Sequence, residues 1–331
     1  MAKSPDPNAV RIVVIGGGTG NYVVLNGLKR HTPNLTAIVA MTDSGGSSGR
    51  LRDQLGQLPP GDVRQCLLGL SPDQPNDSTL QRLLDYRFDR GRDLRGHSFG
   101  NLMLAALTEI TGSMALAIIK AGRMLQITGR VLPVTLTNTD LKARLVDGTV
   151  VAGEASIDVR SIKPGVLIDY VYLDPPAQVY PPVVEAILEA DLVVMGPGDL
   201  YTSIIPNLMV DGVQDAIART PARTVYTSNL MTKPGESDSF KVSDFVKEVR
   251  RYMGPRGRID YLLVNNGPLP PAEVDRYRSD NAHPVELDVE ECLGLVGRIV
   301  RSPMVGSGPQ IRHDSESLAD AIMGVSRDQA S

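Results

Sequence analysis

The chain has 331 residues, 42% of them hydrophobic and 22% charged, which is enough to bury a large core in one or two α/β units. Its net charge of −4 argues against a general nucleic-acid binder, which needs a net or clustered basic surface to displace counterions, so any phosphate recognition must be local. Cys66 and Cys292 have no C-x-x-C spacing, so neither a disulfide framework nor a zinc site is indicated, and no apolar run approaches the roughly 18 residues that span a bilayer.

Residues 1–8 are polar, contain two prolines and lack the apolar centre of a signal peptide. Residues 1–9 therefore read as a disordered tail, and a reducing cytoplasm fits the cysteine usage. A strand over 10–15, a helix over 22–30 and a strand over 36–41 form a βαβ start with short connections. Helices follow over 62–70, 78–87, 98–110 and 113–126, each opened by Asp or Ser as an N-cap. From 130 to 173 the pattern changes to alternating, β-branched segments around an Asp147-Gly148 turn, which predicts an antiparallel β excursion. Strands over 192–195, 223–227 and 261–264 then alternate with helices over 210–218 and 243–252. The reading is one α/β domain over 10–301 and a peripheral segment over 302–331.

Almost every parallel strand ends in a cluster of small polar residues, and open α/β sheets bind ligands at those carboxyl ends. Gly16-Gly17-Gly18-Thr19-Gly20 follows the first strand, and Asp43-Ser44-Gly45-Gly46-Ser47-Ser48-Gly49 follows the second. Glycines let successive backbone N–H groups converge on an anion, and a following helix adds the positive end of its dipole, so the pair of loops points to a phosphorylated ligand. Gly196-Pro197-Gly198-Asp199-Leu200-Tyr201-Thr202-Ser203, the 228–236 loop and Asn265-Asn266-Gly267 close later strands. Each loop taken singly is equally consistent with turn chemistry alone.

Familiar phosphate templates fail at particular places. Asn21 stands where G-x-G-x-x-G needs its third glycine, which disfavours NAD, although Asp43 could hold a ribose hydroxyl. Gly49-Arg50 lacks the Lys-Ser/Thr pair of a P-loop. Arg50 and Arg52 either donate paired hydrogen bonds to a diphosphate or form exposed ion pairs. Asp62 and Arg64 either join the site or cap the following helix and brace the loop. His97, just ahead of an apolar helix, is a candidate acid, base or hydrogen-bond donor, or a structural hydrogen bonder.

The motifs GGGTG, D-x-GGSSGRLR, PPGD-[IV]-R, YRF, GHS-x-GNL, GPG-x-LYTS-x-x-PNL and NLMT-x-PGE run through 10–300. They resemble the gluconeogenesis factor family of YvcK type, which is related to the CofD-type 2-phospho-L-lactate transferases. The resemblance implies a Rossmann-like, doubly wound, mostly parallel sheet with helices on both faces. It also implies a cytoplasmic factor for growth and cell shape on gluconeogenic carbon sources that binds UDP-sugars, notably UDP-N-acetylglucosamine.

By that resemblance, Gly17, Gly18, Thr19 and Gly20 and the run Gly46, Ser47, Ser48, Gly49 and Arg50 would cradle the diphosphate, Gly198, Asp199, Thr202 and Ser203 would line the opposite wall, and Asn229 and Thr232 would close the pocket. Asp43, Gly45, Asp62, Arg64, Asn101 and Tyr201 complete the candidate ligand-binding residues. Relatives carry an Asp-Asp pair where this chain has Asp43-Ser44, and Asn where it has Gln65. One magnesium ligand is thereby missing, and Asp43 is left as the metal candidate.

Two readings follow. One is a nucleotide-sugar sensor acting through a cell-wall or carbon-metabolism protein partner, itself a homo-oligomer. The other is a CofD-like transferase in which an acceptor hydroxyl attacks a diphosphate linkage and a nucleoside monophosphate leaves, with Asp43 on Mg²⁺ and His97 and Asp43 as candidate catalytic groups.

Overall fold

The computed structural model describes residues 9–72, 79–159 and 165–328; the expected tail over 1–9 lies outside them except for residue 9. In chain order the elements are β1 (Ile12–Gly16), α1 (Gly18–Leu28), β2 (Leu35–Val39), α2 (Gly46–Leu55), α3 (Gly61–Leu70), α4 (Thr79–Asp85), α5 (Phe99–Thr111) and α6 (Met114–Met124). Then come β3 (Arg130–Pro133), β4 (Asp140–Leu145), β5 (Val150–Ala152), α7 (Glu154–Asp158), β6 (Ile168–Asp174), α8 (Pro181–Glu189), β7 (Leu192–Met195), a π-helical turn (Leu200–Ile204) and α9 (Ile205–Leu208). The chain closes with α10 (Val213–Arg219), β8 (Arg223–Thr227), α11 (Val242–Met253), β9 (Tyr261–Asn265), α12 (Pro271–Ser279), α13 (Val289–Leu293), β10 (Arg298–Ser302) and α14 (Ser315–Arg327).

Seven parallel strands form one sheet in the order β10-β9-β8-β7-β1-β2-β3. Ile12, Val13, Val14 and Ile15 of β1 and all four residues of β7 are buried, the continuous apolar run of strands covered on both faces. The chain winds outward from β1 through β2 to β3, then outward the other way from β7 to β10. Right-handed crossovers in opposite directions place helices on opposite faces, and the reversal falls between β1 and β7, where such sheets open their ligand crevice.

The antiparallel excursion is a separate sheet, β5-β4-β6. It begins at Asp140 and not at 130: β3 belongs to the main sheet, parallel to β2. The buried residues Val131, Leu132 and Pro133 suit that edge, where proline's missing N–H costs no ladder bond. The first two helices also begin earlier than the glycines suggest, at Gly18 and Gly46. The predicted loops are therefore largely the first turns of α1 and α2.

The C-terminal segment is not peripheral. Leu318, Ala319 and Ile322 of α14 are fully buried, and the helix packs on α1. Its apolar positions repeat at helical spacing, and that stripe requires a partner. Ahead of it, β10 extends the sheet beside β9, and Met304 is buried.

Candidate functional site

Three helix starts meet at the carboxyl ends of β1 and β2. The Gly18 amide at the start of α1 donates to the Asp62 carboxylate, which sits in the first turn of α3. The amide of Gly45, the residue before α2, donates to Asp43 Oδ1 at 2.9 Å. Asp43 also lies against the start of α3, so close that a Cβ on Gly61 would stand 2.2 Å from its Oδ2. The two glycine bends thus face one another across Asp43 and Asp62, and the amides that the sequence offered to a phosphate hold the protein's own carboxylates in part. The remaining first-turn amides, at Thr19 and Gly20 and at Gly46, Ser47 and Ser48, have no intrahelical acceptor by the geometry of a helix start.

Glu154 joins this pair from α7. Its Oε2 accepts from the Ser44 amide at 3.4 Å, and Ser44 Oγ accepts from the Ala155 amide at 2.9 Å. Ser44 therefore docks α7, and with it the antiparallel sheet, onto the β2 end. Burial, then the charge on Asp43, pushes the Asp62 carboxyl up to about 8, against the pull of the Gly18 amide and Arg64. Burial, then Asp43, Asp158 and Asp62, raises Glu154 to about 8 as well. The like charges of Asp43, Asp62 and Glu154 thus act on one another across the site. Nothing in the sequence marked Glu154: a lone Glu after a glycine in an irregular β segment carries no spacing signal.

Beneath the first turn of α2 the predicted residues form a brace. Asn101 Nδ2 donates to Ser48 Oγ at 3.2 Å, Arg64 Nε donates to Asn101 Oδ1 at 3.1 Å, and the Arg64 guanidinium also pairs with Asp85. The Ser98 amide donates to Ser47 Oγ at 3.3 Å, and the Ser47 hydroxyl lies 3.1 Å from His97 Nδ1. Burial, then the Arg50 charge, lowers the His97 pKa, which favours the neutral ring. Arg50 itself donates to the Arg95 carbonyl at 2.9 Å, and Arg52 bonds Asp140 at 2.8 Å. Ser47, Ser48, Arg64, Asn101 and His97 hold the turn in place by these bonds, while Arg50 reaches away to the 95–96 loop.

The opposite wall is a second charged cluster, missed in sequence although Lys233 and Glu236 stand in the quoted 228–236 loop. Lys233 Nζ pairs with Asp158, with Asp199 at 2.6 Å and with Glu236 at 3.3 Å. Glu236, buried and raised to about 7, accepts from the Tyr201 amide and from Thr202 Oγ1, each at 3.2 Å. Asp158, Asp199 and Glu236 have the spacing of metal ligands, but the ammonium of Lys233 already lies among them. Ser203 abuts Gly17, and Asn229 Nδ2 donates to the Gly198 carbonyl at 2.9 Å. Two predicted residues lie apart from the crevice. The buried Tyr201 ring sends its hydroxyl to Glu248 of α11, and Thr232 exchanges hydrogen bonds of 2.7 and 2.8 Å with His283.

Beside the α1 start a cavity of about 180 Å³ is lined by Thr19, Gly20, Gly198, Asn229, Ile311 and His313, among others. The 311–313 stretch was unforeseen because it belongs to the segment read as peripheral. Among the described residues, no helix is long and apolar enough to cross a membrane.

The family model for 2-phospho-L-lactate transferase CofD matches residues 12–305. The gluconeogenesis factor of Bacillus subtilis is 40% identical over 317 residues, covering 95% of this chain and 98% of that protein. That of Listeria monocytogenes is 39% identical over 331 residues, covering 98% and 97%. A Bacillus halodurans protein of known crystal structure superposes with a TM-score of 0.89 at 39% identity, covering 96% of this chain and 100% of that one. The fold, the ordered motifs and these matches over nearly the whole length agree: the chain belongs to the CofD family, among its gluconeogenesis factors.

Proposed function

We propose that this protein binds a nucleoside diphosphate sugar, of the UDP-N-acetylglucosamine kind, together with a divalent cation, in the crevice between β1 and β7. Its output is occupancy: a cytoplasmic factor for growth and cell shape on gluconeogenic carbon sources, signalling to a cell-wall or carbon-metabolism protein and acting as a homo-oligomer. The observation that carries the reading is the Asp43–Asp62–Glu154 cluster beside the open first turns of α1 and α2. Oxygen ligands from half-buried carboxylates of like charge suit Mg²⁺, which keeps part of its shell for phosphate oxygens. Asp43 would ligate the ion, with the carboxylates of Asp62 and Glu154 adding negative charge around it, and the ion would offset that charge and the charge of the diphosphate. The amides at Thr19 and Gly20 would then donate to the diphosphate.

A CofD-like transferase is the second reading, favoured by the same observation. The sequence lacks a second aspartate at Ser44, yet Asp62 and Glu154 bring further carboxylates to Asp43. The neutral His97, tied to Ser47, serves there as a brace for α2.

A thermal-shift panel tests the first reading. Ligand at 100 times its Kd stabilises by about 2.7 kcal/mol, a shift of several degrees in a chain of this length. UDP-N-acetylglucosamine with Mg²⁺ gives that shift and NAD gives little; equal shifts, or none with the UDP-sugar, remove the reading. Release of nucleoside monophosphate on adding an acceptor alcohol would establish the transferase instead.

A further inference from the structure

The segment between β10 and α14 brings Ile311, Arg312 and His313 into the wall of the cavity that begins at Thr19 and Gly20. His313 is buried, and burial pushes its pKa down to about 4, so the imidazole is neutral. The Ser228 backbone opposes that shift, as a carbonyl accepting from the ring does. Nε2 has no partner, which assigns the donated proton to Nδ1 and leaves Nε2 a bare acceptor. On the same cavity, Asn229 uses Nδ2 on the Gly198 carbonyl while its Oδ1 has no partner. Two buried acceptors without donors are unfavourable, and both belong to residues that line one space. Leu230, Met231 and Ile311 on the same cavity pack with Val274 in a small apolar cluster separate from the main core.

We propose that this cavity is the subsite for the polyol ring attached to the ligand's diphosphate, with His313 Nε2 and Asn229 Oδ1 each accepting a hydrogen bond from a ring hydroxyl. The inference rests on the nucleotide-sugar reading above. The cavity starts at the α1 first turn, so a diphosphate on those amides directs the group bonded to it into this space. Hydroxyls supply the donors that bare acceptors lack, whereas a carboxylate or phosphate would set lone pair against lone pair. The ring is the ribose of the nucleoside or the hexose, two sources of the same chemistry.

The test measures binding of UDP, 2′,3′-dideoxy-UDP and UDP-N-acetylglucosamine with Mg²⁺ to the full chain and to His313→Phe, and follows the ring nitrogens of the four histidines in wild type by ¹⁵N NMR. If ribose occupies the subsite, His313→Phe weakens UDP about tenfold and leaves dideoxy-UDP unchanged. If hexose does, the loss of about tenfold falls on UDP-N-acetylglucosamine alone. In either case one unprotonated Nε2 resonance moves when ligand is added. An unmoved resonance overturns the proposal, as does an equal loss for all three ligands. The spectrum decides alone if the variant does not fold. Failure of wild type to bind any of the three removes the nucleotide-sugar reading itself, and this inference with it; binding with an unmoved resonance removes only the inference.

Discussion

Asp62 lies against Gly17 so closely that a Cβ on Gly17 would stand 2.3 Å from Asp62 Oδ2. This contact ties the β1 end to the α3 start and fixes where the carboxylate cluster faces. The Gly17 backbone is extended, at φ −156°, so any residue could adopt it, and the demand for glycine is one of space alone. Gly17→Ala should destabilise the protein by about 1–3 kcal/mol through that overlap and weaken the Mg²⁺ response, as read by denaturant unfolding with and without the ion. Unchanged stability with an unchanged Mg²⁺ response would mean that Asp62 moves aside freely.

The raised carboxyls predict a pH trend. Asp62 and Glu154 titrate near 4 in the unfolded chain and at about 8 when folded, so between those values the folded state binds more protons. Stability without divalent cation therefore falls as pH rises from about 5 to 8, by the sign of that proton difference. Millimolar Mg²⁺ should flatten the fall, and Asp62→Asn should do so without the ion. A melting temperature that rises over this range in EDTA contradicts the prediction.

Gly46 begins α2 at φ +42° with open space where a Cβ would go. A side chain there meets backbone strain and no neighbour. Gly46→Val should cost about 1–2 kcal/mol and weaken UDP-sugar binding by re-aiming the first turn, while Gly46→Asn, which tolerates that conformation, should stay near wild type. Equal affinities for wild type and Gly46→Val would show that the α2 turn does not contact the ligand.

Arg64 connects Asp85 to Asn101 and thence to Ser48 under the same turn. Arg64→Ala leaves Asn101 Oδ1 unpaired inside the protein, with an expected loss of about 3 kcal/mol in chemical denaturation. Asp85→Ala, on the exposed end of the chain of bonds, should cost under about 1 kcal/mol. Similar losses for the two would place the stabilisation in the ion pair and not in the brace.

The parallel sheet was legible because its strands are continuous apolar runs capped by small polar residues, as at Ile12–Gly16 and Leu192–Met195. Those caps pointed to the carboxyl ends of the strands, where the loops after β1, β7 and β8 meet. What each residue does there was less legible, because side-chain partners come from distant sequence. The roles of Ser47, Ser48, Arg64 and Asn101 depend on one another across 37 to 53 positions, and Glu154 meets Ser44 across 110. Spacing reports faces of one element and is silent on such pairs. The C-terminal stretch was underestimated for a related reason: the buried stripe of α14 is helical in period, but only its packing on α1 shows that 311–313 borders the cavity.

Titration calorimetry of UDP-N-acetylglucosamine against the wild-type chain, in Mg²⁺ and in EDTA, tests the central claim most directly. Binding that weakens at least tenfold on removing Mg²⁺, and that loses this dependence in Asp62→Asn, is the predicted result. No binding in Mg²⁺, or the same affinity in EDTA, would contradict a cation-bridged nucleotide-sugar site at the ends of β1 and β2.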